Sequence, residues 1–167
     1  KAIFEHLGGL KRDLSLDFVI VNGENSAHGF GITKNICNFL YELGVNVITT
    51  GNHVWDQAEI STYIKNDPHL LRPANFSEGT PGNGFGIFQA GNGASIMVVN
   101  LMGQLFMHSI DNPFKTMENI LKRFRLEHEV NGIVVDFHGE ATSEKQAMGH
   151  YFDGQVSLLV GTHTHVP

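Results

Sequence analysis

Phe85-Gly86-Ile87-Phe88-Gln89-Ala90 and Ala94-Ser95-Ile96-Met97-Val98-Val99-Asn100-Leu101 are two apolar runs separated by Gly91-Asn92-Gly93. Asn-Gly between short apolar runs reads as a β-hairpin, because the turn needs backbone φ above zero. On either side of this hairpin the chain follows a different rule. Val- and Ile-rich runs predict strands at 18–22, 45–49, 132–136 and 157–160, and amphipathic segments predict helices at 2–14, 33–43, 56–66, 113–128 and 143–151. Alternation of this kind builds a mainly parallel sheet. Thr33 and Asp56 are N-cap candidates, Gly44 a helix stop, Pro113 a first-turn residue, and Ser143 a further cap. An antiparallel hairpin inside a parallel series favours two packed sheets with helices outside over a three-layer nucleotide fold.

The chain has 167 residues, 41% hydrophobic and 17% charged, enough for one globular domain over 1–167. A net charge of -6 argues against a protein that coats nucleic acid, but leaves a nucleotide-sized substrate open. Cys37, the single cysteine, excludes an internal disulfide and suits a helix face as a small hydrophobe. No apolar run approaches the roughly 20 residues that span a bilayer, and no signal peptide is visible, so a cytoplasmic protein is expected. The sequence starts without Met in a helix-like stretch and stops at Pro167 after a histidine pair, so material is expected beyond both ends. Oligomeric state is left open.

Four polar clusters follow apolar strand-like runs. Asn22-Gly23-Glu24-Asn25-Ser26-Ala27-His28-Gly29 offers a carboxylate, amides and an imidazole with little bulk. A carboxylate has two oxygens and can bridge two cations, while an ordinary turn with a solvated Glu24 is the plainer alternative. His28 shares the loop and is a candidate for contact with substrate. Gly51-Asn52-His53-Val54-Trp55-Asp56 offers an amide oxygen as a neutral ligand beside a histidine placed to act as a general acid. The competing view is that Asn52 caps the helix and His53 merely packs, and Trp55 reads as a packing residue rather than a stacking platform. Asp136-Phe137-His138-Gly139-Glu140 places an imidazole beyond a strand, with Asp136 and Glu140 as groups that could fix its tautomer. Gly161-Thr162-His163-Thr164-His165 delivers two more imidazoles, two apart on an extended segment and therefore on one face. Oxygen and nitrogen ligands without thiolates suit a catalytic pair of borderline ions better than a structural zinc. His6, His69, His108, His128 and His150 lack the strand-end placement and read as surface or core residues.

Taken with Arg72-Pro-Ala-Asn-Phe, Gly79-Thr-Pro-Gly and Glu140-Ala-Thr-Ser-Glu-Lys, these clusters resemble the YmdB-type branch of the calcineurin-like metallophosphoesterases over essentially the whole chain. The resemblance implies an α/β fold, a four-layer αββα sandwich, here incomplete at its N- and C-terminal ends. It also implies a binuclear centre of divalent or mixed-valence ions, iron first, with manganese or zinc as alternatives. Carried over by motif, Glu24 bridges the two metals, Asn25 and His165 serve the first, Asn52, His138 and His163 serve the second, and His53 donates a proton. The family pattern opens on a short strand with an Asp ligand to the first metal, and this sequence begins beyond it. The implied reaction is phosphodiester hydrolysis by metal-activated hydroxide, with 2′,3′- or 3′,5′-cyclic nucleotides as the substrate class.

Two other readings use the same residues. A metallo-β-lactamase-like hydrolase is suggested by His163-Thr164-His165, but Val166-Pro167 lacks the Asp-His continuation of that class. The other is a catalytically impaired regulator on the same scaffold, binding nucleotides or a protein partner.

Overall fold

The computed structural model describes residues 2–166. Two sheets form. Strands β1 (Ile20–Asn22), β2 (Val47–Thr49) and β3 (Leu70–Leu71) make a parallel sheet in the order β1-β2-β3. Strands β4 (Phe85–Gln89), β5 (Ser95–Met102), β6 (Gly132–Gly139) and β7 (Leu158–His163) make the second in chain order, with β4 antiparallel to β5 and the rest parallel. The hairpin turn is closed by the Ala90 N–H donating to the Ala94 carbonyl at 2.8 Å, with Gly93 at φ 86°.

Side-chain alternation along the strands sorts the interior into three layers of contact. Ile48 faces outward into a cluster with Leu7 of α1 (Ala2–Asp13), Cys37 and Leu40 of α2 (Lys34–Glu42) and Ile60 of α3 (Ile60–Tyr63). Its neighbour Val47 faces the other way and meets Leu71, Phe88 and Val98, so the two sheets pack against each other. Met97, Val99 and Leu101 of β5 point to the far side, onto Met117 and Ile120 of α4 (Pro113–Leu121) and Met148 of α5 (Thr142–Tyr151). A strand presents successive residues to opposite faces, so this sorting defines a four-layer αββα sandwich.

At the carboxyl ends of the strands the seam between the sheets turns polar. Asn100 is fully buried there, and its amide donates to the carbonyls of Thr50 (2.9 Å) and Leu71 (3.1 Å) across the seam. Asp136 lies in register with Asn100 and is bonded to the first sheet as well.

Several local expectations need correction. The helix expected over 56–66 is confined to Ile60–Tyr63, and Asp56 caps nothing because its carboxylate is taken by His53. The helix expected over 113–128 ends at Leu121, after which Leu126 and Val130 form a bridge. Asn112 caps that helix, accepting from Phe114 and Lys115, with Pro113 in its first turn. Ser143 lies inside α5 and Ala141 occupies the cap position. The cap at Thr33 and the stop at Gly44 form as expected, with Gly44 at φ 85°. β6 and β7 each run three residues beyond the expected ends, and those extra residues carry His138 and His163.

Candidate metal centre

Each arm of the site begins where a strand stops. After β1, the Asn22 side chain accepts from the Glu24 N–H at 3.2 Å and folds the chain back, so that Glu24 is buried with 2% of its surface exposed. Gly23 permits this turn because a Cβ there would meet Ile32 at 2.7 Å and Ile48 at 2.9 Å. After β2, Gly51 passes against the cluster so closely that a Cβ would collide with the His138 ring and lie 2.5 Å from Glu24 Oε1. That close approach lets Asn52 Oδ1 come within 2.8 Å of His138 Nε2.

His138 is fully buried near the end of β6, its Nε2 lying 2.9 Å from Glu24 Oε1 and 3.1 Å from His163 Nδ1. His163 closes β7, and its other nitrogen meets Glu140 Oε2 at 3.0 Å. One carboxylate oxygen, one amide oxygen and two ring nitrogens therefore converge from four segments. The oxygens bring lone pairs only, and each imidazole nitrogen brings at most one proton. Such a set is short of protons and suited to a cation. Ligand atoms of Glu24, His138 and His163 all lie within 4.8 Å of one another.

The electrostatics agree. Burial pushes the Glu24 carboxyl up, but the hydrogen bond and charge of His138, with the His53 backbone N–H, outweigh it and hold the group below the ordinary carboxylate range. Burial, reinforced by His138, holds His163 below the usual histidine value, which favours the neutral ring that a metal needs.

A second position adjoins the first. Asn25 Nδ2 lies 3.0 Å from His165 Nε2, and Asn25 Oδ1 is buried without a hydrogen-bond partner among the described residues. An orphaned amide oxygen beside an imidazole fits a metal ligand, so the residues present suit the implied ions. Asn25, His165, Glu24 and His163 line one cleft of about 490 Å³. His163 (φ 99°) and His165 (φ 54°) both adopt left-handed backbone. The two rings are thus aimed at neighbouring positions by a twist of the chain, where the sequence suggested one face of an extended strand.

His53 stands beside the cluster. Its N–H donates to Glu24 Oε1 at 3.2 Å, its Nδ1 meets Asp56 Oδ2 at 2.7 Å, and the ring packs edge-on against Phe30. His28 is exposed on the Glu24 loop at φ 55° and is not among the residues lining the cleft. Sequence reasoning missed Thr162, Thr49 and the pairing of Asp56. The available signal was the spacing of Asp136 and His138, two apart on a strand and so on one inner face.

Two sheets back to back, their carboxyl edges meeting over a lone-pair-rich cluster, define the calcineurin-like α/β sandwich. The family model for YmdB-like proteins matches residues 1–167, and the chain belongs to that family. It is 46% identical over 162 residues to the 2′,3′-cyclic-nucleotide 2′-phosphodiesterase of Bacillus subtilis (strain 168), covering 97% of this chain and 60% of that protein. It is 42% identical to a putative phosphatase/phosphodiesterase of Mycoplasma pneumoniae, covering 99% of this chain and 59% of that protein. Among solved structures, a hypothetical protein from Thermus thermophilus superposes with a TM-score of 0.90 at 40% identity, over 99% of this chain and 63% of that one. A novel phosphatase from Mycoplasma pneumoniae gives 0.89 at 39% identity, over 99% and 59%. The chain thus spans about three fifths of the length of the relatives it matches. Among the described residues no helix is long and apolar enough to cross a membrane.

Proposed function

We propose that this chain carries the metal-binding part of a phosphodiesterase acting on small phosphodiesters, with 2′,3′- or 3′,5′-cyclic nucleotides as the substrate class. What supports the reading most is the convergence of Glu24, Asn52, His138 and His163 on one point, together with the name of the Bacillus relative. Asn52, His138 and His163 would hold one ion, Asn25 and His165 would contribute to the other, and Glu24 would bridge them. Divalent iron, manganese or zinc at such a site supplies Lewis acidity and a water acidic enough to ionise near neutral pH.

The side chains themselves divide the remaining work. Asp56 accepts from His53 Nδ1–H, which orients the ring, so that the imidazolium form would hand its Nε2 proton to the departing alkoxide and be left with the Nδ1 proton. Phe30 restricts the ring from its edge. Glu24 supplies negative charge that offsets repulsion between two cations. His28, exposed on the Glu24 loop outside the lining of the cleft, would meet only a substrate that extends past the cleft.

The test pairs metal analysis with hydrolysis of bis-p-nitrophenyl phosphate, 2′,3′-cyclic AMP and 3′,5′-cyclic AMP. It is run on this chain and on a chain of the relatives' full length. Metal-dependent turnover in the longer chain supports the proposal. Bound metal with no turnover in that chain rejects it and leaves a binding role on the same scaffold.

A further inference from the structure

Asp136 sits between the sheets with 3% of its surface exposed, and among the described residues the three hydrogen bonds to its carboxylate come from other strands. Oδ2 accepts from the Asn22 amide at 2.9 Å and from the Thr49 hydroxyl. Oδ1 accepts from the Thr162 hydroxyl at 2.6 Å. Asn22 turns the chain to Glu24, Thr49 precedes the Gly51–Asn52 arm, and Thr162 adjoins His163. One carboxylate is therefore a single hydrogen bond from each segment that delivers a ligand. Its oxygens are occupied by donors, which sets it apart from Glu24 as a group that does not face a cation.

The Thr162 contact carries a chemical consequence. A hydroxyl has one proton, and Thr162 gives it to Asp136, so the oxygen can only accept at its second contact, His138 Nδ1 at 3.1 Å. His138 must then carry its proton on Nδ1. Nε2, the atom that faces Glu24 Oε1, Asn52 Oδ1 and His163 Nδ1, is then the nitrogen left for a cation, which would displace any proton it shares with Glu24. From this geometry we infer that Asp136 and Thr162 are positioning residues: the relay Asp136–Thr162–His138 holds a proton on Nδ1 of the central imidazole, so that Nε2 is the nitrogen presented to metal, and so sets the affinity of the site. The inference rests on the proposed metal centre, but its first element, the tautomer, can be read without any metal.

The experiment records ring-nitrogen NMR shifts of histidine-labelled protein without metal, with His138 assigned by its loss in His138→Gln, and follows with a Mn²⁺ titration by electron paramagnetic resonance. In the unsubstituted chain His138 should be protonated on Nδ1. Thr162→Val keeps the side-chain shape and spares Asn22 and Thr49. It should mix the tautomers and raise the Mn²⁺ Kd by about 10–100-fold, the range that outer-shell partners of metal ligands command. Thr162→Ser should restore both. A bare Nδ1 in the unsubstituted chain overturns the relay, with no variant needed. An unchanged Nδ1 proton or Kd in folded Thr162→Val overturns it too. If the unsubstituted chain has the Nδ1 tautomer but takes up no Mn²⁺, the relay's chemistry stands and the metal-centre reading fails.

Discussion

His53 Nδ1 lies 2.7 Å from Asp56 Oδ2, three residues along the same loop, while the His53 N–H reaches Glu24 Oε1. The backbone of this residue belongs to the cluster and its ring does not. Replacing His53 by Ala should therefore lower kcat by about 10²–10⁴-fold, the usual contribution of a positioned proton donor, with metal content unchanged. Asp56→Asn should give a smaller loss of the same kind. Metal analysis beside steady-state kinetics decides the matter: equal loss of metal and turnover in His53→Ala would make the ring a ligand.

Glu24 should behave in the opposite way. Its carboxylate is buried against His138, and Glu24→Gln keeps the size while removing the charge that a pair of cations needs. The expected outcome is loss of bound metal with the fold retained, followed by atomic absorption and circular dichroism. Unchanged metal stoichiometry would reject the bridging role.

Gly51→Ala tests the geometry without touching any ligand. The added methyl would meet the His138 ring and Glu24 Oε1, so the Gly51–Asn52 segment must move away from both. Metal affinity should fall while secondary structure persists. Gly149→Ala, on α5 where a Cβ meets nothing within 4 Å, is the control for adding a methyl to a glycine away from the site. Equal effects of the two substitutions on metal binding would undo the argument from close approach.

Much of this architecture could be read from the hairpin and the alternating runs, because apolar periodicity reports which face is buried. The ends of β6 and β7 could not. Asp136 and His138 interrupt an apolar run, and only the polar seam between the sheets makes them interior residues. β3 has two residues, too few to show a period. The helix expected from Asp56 is lost because the same carboxylate serves His53, a contact on which helical spacing is silent. Strand-end placement brings forward Glu24, Asn52, His138 and His163 as candidates, and the structure brings their polar atoms together at the carboxyl edge of the sheets. Thr162 escaped notice because a threonine at a strand exit is ordinary until its two partners are known.

Cys37 offers a test of the fold away from the site. It is fully buried on α2 in the outer cluster with Ile48, and burial, aided by the nearby Asp67 carboxylate, pushes its thiol up to about 12. The thiolate is the reactive form, and an unperturbed thiol ionises near about 8.5. At pH 10 an unfolded chain therefore presents a reactive Cys37, while the native chain holds it protonated and out of contact with reagent. Labelling with a disulfide reagent should be complete within minutes in denaturant. In native protein it should stay slow at both pH 8 and pH 10, set by the rate or population of unfolding and not by thiol ionisation. Fast stoichiometric labelling of the native chain at pH 8 would mean that α2 does not pack on the first sheet as described.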